Sequence, residues 1–132
     1  MLARKGAGTL PLPDAQRGLA LARRHVAWLR RLLDDAHEAM ENASSFGIFG
    51  TSISGMWLYG AMRKEVAFFV DEDQTRIGKT FEGKPILAPQ DAPAGSTIFL
   101  PLNPESADNV RKRLQSRIDA RLVQPPVMDR AA

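Results

Sequence analysis

The first ordered pattern along the chain is a seam of apolar residues at Leu19, Ala22, Val26, Leu29, Leu33, Ala36 and Met40, spaced alternately by three and four. That spacing is the period of one helix face carried over three heptads. From Ala15 to about Glu41 there is a single glycine and no proline, and Asp14 stands in front as a candidate N-cap. The pattern therefore predicts that the segment 14–42 holds a helix from Ala15 to about Glu41, of about 27 residues and about 40 Å at 1.5 Å per residue. A rod of that length exceeds what the core of a small domain needs. Trp28 and Leu32 widen the apolar face beyond a narrow seam, so the helix is expected both to pack along its own domain and to pair with a second helix.

Beyond a polar break at 42–45 the period changes. Phe46-Gly47-Ile48-Phe49 reads as a short buried strand, 50–55 as a tight turn, 56–62 as a helix, and Val66-Ala67-Phe68-Phe69-Val70 as a strand apolar on both faces. The β-turn-α-β succession spans about 25 residues, slightly tighter than the usual unit of this kind. Residues 78–87 are punctuated by Gly78, Gly83 and Pro85, which predicts a surface excursion with a small strand at Ile86-Leu87, short or at an edge. A further strand is expected at 97–100, a turn at 101–105, and an amphipathic helix from Ser106 to about Leu122 on the four-residue spacing of Val110, Leu114 and Ile118. The expected fold class is α/β: a small half-Rossmann three-layer unit over 43–123 with a short parallel sheet of three or four strands, preceded by the long amphipathic helix. Residues 1–13 read as a flexible lead-in and 124–132 as a tail.

One turn carries candidate chemistry. A dinucleotide fingerprint asks for G-x-G-x-x-G between a strand and a helix, with an acidic residue about twenty positions on. Gly50-Thr51-Ser52-Ile53-Ser54-Gly55 supplies the outer two glycines, and Asp71 follows Gly50 by 21 residues at the end of the next strand. Ser52 replaces the middle glycine, whose bare backbone lets a pyrophosphate approach, so the ordinary NAD pose is disfavoured. The hydroxyls of Thr51, Ser52 and Ser54 could instead hold a phosphate beside the helix N-terminus. Asn103, past the third expected strand, stands where open α/β sheets contact ligands, or else caps the helix that follows. Asp71 is the candidate for a ribose hydroxyl and Asp73 for a turn. The competing reading is that Gly50 and Gly55 only permit a tight turn.

The run Phe46 to Gly50, then Gly55, Phe69-Val70-Asp71-Glu72-Asp73, Gly78-Lys79, Lys84-Pro85-Ile86-Leu87 and Ile98-Phe99-Leu100-Pro101-Leu102-Asn103-Pro104 resembles the C-terminal Rossmann-like domain of sugar C-methyltransferases. It is similar also to the N-terminal sugar-nucleotide domains of bacterial acetyltransferases acting on nucleotide-linked amino sugars. The resemblance covers roughly residues 40–120. It implies binding of, or docking against, a nucleotide-linked sugar, with the chemistry resident in another domain. The chain departs from those families in having neither an S-adenosylmethionine domain nor left-handed helix repeats, so the resemblance implies a detached module, a fragment of a larger enzyme, or a solo relative.

Composition changes this picture little: 44% hydrophobic and 25% charged residues in a chain of 132 suit one globular domain. Without cysteine there is no disulfide, thiolate nucleophile or cysteine-bound zinc. No apolar run approaches a membrane span and the first residues do not form a signal peptide, so a cytoplasmic protein is the expectation. The net charge of +3 is unevenly shared. Residues 1–45 carry seven Lys/Arg against five Asp/Glu, 46–110 five against eight, and 111–132 six against two. The expected α/β centre is acidic, and the basic residues Arg111, Lys112, Arg113, Arg117 and Arg121 read as a solvated helix face. With no basic stripe interleaved with aromatics, a nucleic-acid partner is not expected. His25 and His37 lack carboxylates at metal-site spacing. The position four beyond Tyr59 holds Arg63, not the lysine a short-chain dehydrogenase needs. The expectation is thus a non-catalytic module binding a nucleotide or nucleotide-sugar at Gly50, Thr51, Ser52, Ser54, Gly55, Asp71 and Asn103, accessory to a methyltransferase-type enzyme, and joined to a second copy or a larger enzyme through residues 15–41. Two alternatives stay open: a helix-mediated interaction protein with an empty site, and a small NAD-dependent reductase or epimerase relative.

Overall fold

The computed structural model describes residues 12–127. The chain is a mixed α/β protein: a long helix α1 (Leu12–Glu41), then β1 (Phe46–Phe49), α2 (Ile53–Ala61), β2 (Phe68–Val70), β3 (Thr80–Phe81), β4 (Lys84–Leu87), β5 (Ser96–Phe99), α3 (Pro104–Leu114) and β6 (Ala120–Val123). The strands form one six-stranded sheet ordered β3-β4-β2-β1-β5-β6. Every pairing is parallel except the β3–β4 hairpin.

Both faces of this sheet are covered, which is why its central strands read as unbroken apolar runs. Successive side chains of a strand point to opposite faces. Phe46 and Ile48 of β1, Phe69 of β2, Ile86 of β4 and Phe99 of β5 accordingly pack under α1 and α2, against Trp28, Leu32, Leu58, Tyr59 and Met62. Phe49, Phe68, Val70 and Ile98 point the other way, onto Ala107, Val110 and Leu114 of α3. Lys84 donates from Nζ to the carbonyls of Arg63, at 2.8 Å, and Val66, tying β4 to the loop between α2 and β2.

Several boundaries differ from the sequence expectation. Residues 1–11 of the expected lead-in and 128–132 of the expected tail lie outside the described residues, but Leu12 and Pro13 are already helical, so Asp14 sits inside the first turn and does not cap it. Proline is tolerated there because a first-turn N–H has no intrahelical acceptor. α2 begins at Ile53, earlier than expected, because Ser52 caps it: Oγ accepts from the Gly55 N–H at 3.3 Å. The sheet has six strands where three or four were expected. The excursion over 78–87 is a hairpin, and its β4 lies inside the sheet between β2 and β3, so Pro85 is not on the sheet's outermost strand.

The largest correction falls after Leu114. The helix stops there, and 120–123 form β6, parallel to β5. Ala120 and Leu122 are buried and Arg121 exposed, the two-residue alternation of a strand. Gln115 fixes the corner: Nε2 donates to the Ala120 carbonyl at 2.7 Å and Oε1 accepts from the Leu122 N–H at 3.1 Å. Arg117 and Arg121 therefore do not extend a basic helix face. Among the described residues no helix is long and apolar enough to cross a membrane.

Candidate functional site

Strand order places the site. From β1 the chain crosses to β2 on one side, whereas β5 lies against the other side of β1. Connections leaving two neighbouring strands in opposite directions open a crevice beyond their carboxyl ends. Here its walls are the turn after Phe49 and the segment that follows Phe99.

The turn is built by two glycines with separate duties. Gly50 has φ +82°, a left-handed conformation that a side chain would strain. Gly55, in the first turn of α2, is buried; a Cβ there would meet the Gly50 carbonyl oxygen at 3.0 Å and the Pro101 ring at 3.6 Å. Packing of α2 against both walls thus requires the bare residue. Of the amides that open α2, Met56 donates to the Ser52 carbonyl at 2.8 Å and Gly55 to the Ser52 hydroxyl. The Ile53 and Ser54 amides have no acceptor among the described residues, and the N–H groups of a first turn point out along the helix axis. Ser52 is exposed and Thr51 and Ser54 half-buried.

Asp71 ends β2, one strand from the turn, and is 9% exposed. Its Oδ1 accepts from the Asp73 N–H at 2.9 Å, while its buried Oδ2 has no hydrogen-bond partner. Arg76 Nη1 lies 3.6 Å from that oxygen, an ion pair too long for a hydrogen bond, so a bound hydroxyl could still supply the missing one. Asp73 makes the expected turn: Oδ1 accepts from the Thr75 N–H at 2.9 Å and its hydroxyl at 2.7 Å, and these two bonds hold the Asp73 carboxyl below the usual carboxylate range.

The same turn delivers a residue that the sequence reading did not single out. Arg76 reaches back to the glycine turn, donating from Nη1 to the Thr51 hydroxyl, with Nη1 3.6 Å from Asp71 Oδ2 and Nε 3.6 Å from Asp73 Oδ2. Its guanidinium, half-exposed, straps the glycine turn to the end of β2. The sequence signal was an arginine three beyond the turn-forming Asp73, a spacing that lets the pair meet. Asn103 lies on the opposite flank and caps α3, Oδ1 accepting from the Ser106 N–H at 2.8 Å. The structure therefore gathers Gly50, Thr51, Ser52, Ser54, Gly55 and Asp71 around one crevice and commits the Asn103 side-chain oxygen to a helix end.

Hollows away from the crevice have other linings. One of about 270 Å³ lies beside Glu72, Ile77, Pro89, Leu114 and Ile118, and one of about 420 Å³ between α1 and β6 beside Asp35, Glu38 and Arg121. The crevice differs from both in bringing the unengaged Ile53 and Ser54 amides to the same sheet edge as the Asp71 carboxyl, which Arg76 links to Thr51. Among the described residues no cluster of His, Asp or Glu could hold a metal ion. The fold and crevice define a mostly parallel α/β protein with a switch point between β1 and β5. Compared with known proteins, the chain matches no family model, no curated protein and no solved structure.

Proposed function

We propose that the chain is a half-Rossmann module without catalysis of its own, binding a nucleotide or nucleotide-linked sugar in the crevice between β1 and β5. The observation that carries this reading is a buried Asp71 Oδ2 that accepts no hydrogen bond and has only the Arg76 ion pair at 3.6 Å, together with two α2 N-terminal amides, Ile53 and Ser54, that no acceptor engages. The amides and the helix dipole suit a phosphate, and a carboxylate acceptor one strand away suits a ribose hydroxyl. Ser52, with its Cβ and hydroxyl at the position where a dinucleotide needs bare backbone, makes NAD the poorer ligand. On the resemblance to sugar C-methyltransferases, the module serves an enzyme whose reaction takes place on another domain.

The test is thermal unfolding in the presence of nucleoside diphosphates, nucleotide-linked hexoses and NAD, with Asp71→Asn alongside. A ligand at one hundred times its Kd stabilises by about 2.7 kcal/mol, which is several degrees of Tm for a domain of this size. The wild-type chain should respond to a nucleotide-linked sugar and the Asn variant should not; a flat profile across the panel would overturn the proposal.

A second reading has its own support. The N-terminal half of α1 leaves Leu19 and Val26, seven residues apart on one face, at 54% and 50% exposure. Apolar side chains grouped in this way mark an assembly surface, so we also propose that α1 joins the module to a partner helix.

A further inference from the structure

We propose that the partner of α1 is α1 of a second copy of this chain, running antiparallel. The inference rests on the assembly role proposed for α1 and adds the identity and polarity of the partner.

The helix is 30 residues long, about 45 Å, and only its second half is held by the domain. Trp28, Leu32, Ala36 and Ala39 are buried against the sheet, whereas Leu19, Leu21 and Val26 are exposed. Ala22, Val26 and Ala27 line an apolar hollow of about 360 Å³ flanked by Arg23 and Arg30. The seam continues into the second half as Leu29, Leu33 and Met40, which are only half-buried because the domain takes the neighbouring face. The stripe from Leu19 to Met40 is thus open from Leu19 to Val26 and half-open at Leu29, Leu33 and Met40, with Ala36 alone taken by the sheet.

Charge decides the partner. From Gln16 to Arg31 the helix carries Arg17, Arg23, Arg24, Arg30 and Arg31 and no acid; from Leu32 to Glu41 it carries Asp34, Asp35, Glu38 and Glu41 and no Lys or Arg. Among the described residues Asp34, Glu38 and Glu41 form no ion pair. A parallel pair would lay arginines on arginines and acids on acids. An antiparallel pair sets each basic half against an acidic half, the complementarity that fixes partner and orientation in paired helices. A register centred between Leu29 and Leu33 puts Ala22 opposite the partner's Met40 and Leu29 opposite the partner's Leu33. It also lays Arg23 and Arg30 alongside the partner's Glu41 and Asp34. The contact is isologous and closes as a dimer.

The full chain has no cysteine, so directed cross-linking reads polarity without background. Light scattering should give a dimer, and Val26→Glu should yield a monomer whose urea midpoint equals that of wild type diluted until it is monomeric, because Val26 lies outside the core of one copy and only the added stability of association is lost. Mixed Ala22→Cys and Met40→Cys chains should form a disulfide-linked dimer, while Ala22→Cys alone should not. Arg23→Glu with Arg30→Glu should weaken the dimer by roughly tenfold or more, and mixing that variant with Asp34→Arg/Glu41→Arg should restore it. A dimer in which Ala22→Cys links to itself overturns the polarity and leaves the assembly role standing. A monomer at the highest soluble concentration overturns both, and neither outcome touches the ligand test.

Discussion

Gln115 offers a quantitative test of the corner that turns α3 into β6. β6 is an edge strand, and a strand's outward N–H and C=O groups are free to recruit another chain. In this protein the Gln115 carboxamide stands where a neighbouring strand would, donating to the Ala120 carbonyl at 2.7 Å and accepting from the Leu122 N–H at 3.1 Å. Each neutral hydrogen bond is worth about 1 kcal/mol net, so Gln115→Ala should cost about 2 kcal/mol, with water at the open edge keeping the loss from being larger. Gln115→Glu keeps the acceptor for Leu122 but sets a carboxylate oxygen against the Ala120 carbonyl, and should recover little of the loss near neutral pH. Urea denaturation measures the loss, and hydrogen exchange at the Leu122 amide locates it; Ser116→Ala, an exposed neighbour, is the control. If Gln115→Ala fell within about 0.5 kcal/mol of wild type and the Leu122 amide stayed protected, the side chain would not be holding the strand.

Three further outcomes are expected. Leu32→Ala, at a site with 0% exposure between α1 and the sheet, should destabilise the domain by about 3–5 kcal/mol in urea, and a smaller loss would mean that α1 is only loosely attached. Thr75→Val removes the hydroxyl that chiefly lowers the Asp73 pKa. Since that carboxyl is depressed in the folded state, its stabilisation is complete above the unfolded value of 3.8 and lost as pH falls through the folded one, so the variant should be weaker near neutral pH and converge with wild type below 3.8. Arg76→Ala should change stability by less than about 1 kcal/mol, since its ion pairs are half-exposed. By calorimetry it should weaken nucleoside diphosphate binding while sparing or tightening that of the uncharged nucleoside; equal changes in both would count against a phosphate role for Arg76.

How far the sequence could be read follows from which forces shape each segment. β1, β2 and β5 were legible because a strand covered on both faces has no polar positions to disguise it, and helices lie over both sides of this sheet. The second half of α1 was legible from its period, although of the residues the domain buries only Ala36 belongs to the seam, and Trp28, Leu32 and Ala39 lie on the flank beside it. β6 was not legible. Ile118 continues the four-residue spacing of Val110 and Leu114, and the alternation that marks the strand lasts only from Ala120 to Val123, so the local pattern favours helix. What overrides it is tertiary: pairing with β5 and the Gln115 clasp. At the crevice, Gly50, Gly55 and Asp71 follow from spacing alone. Arg76 enters only because the Asp73–Thr75 turn sends the chain back over Thr51, a direction no residue pattern encodes.

Ser52 is where these levels meet, and it permits a sharper test of the proposed ligand class. Its Oγ takes the Gly55 N–H, leaving Ile53 and Ser54 to offer amides to an anion. Its Cβ stands where a dinucleotide's pyrophosphate would lie against bare glycine. If that side chain is what turns the site away from NAD, Ser52→Gly should shift the balance of affinities toward NAD. It should do so at little cost to folding, because glycine in place of serine at an N-cap costs only a few tenths of a kcal/mol. Calorimetric titration of the variant with NAD and with the nucleotide-linked sugar gives the ratio directly. A ratio unchanged from wild type would mean that position 52 does not select the ligand, and selection would then rest with Arg76 and Asp71 beyond the end of β2.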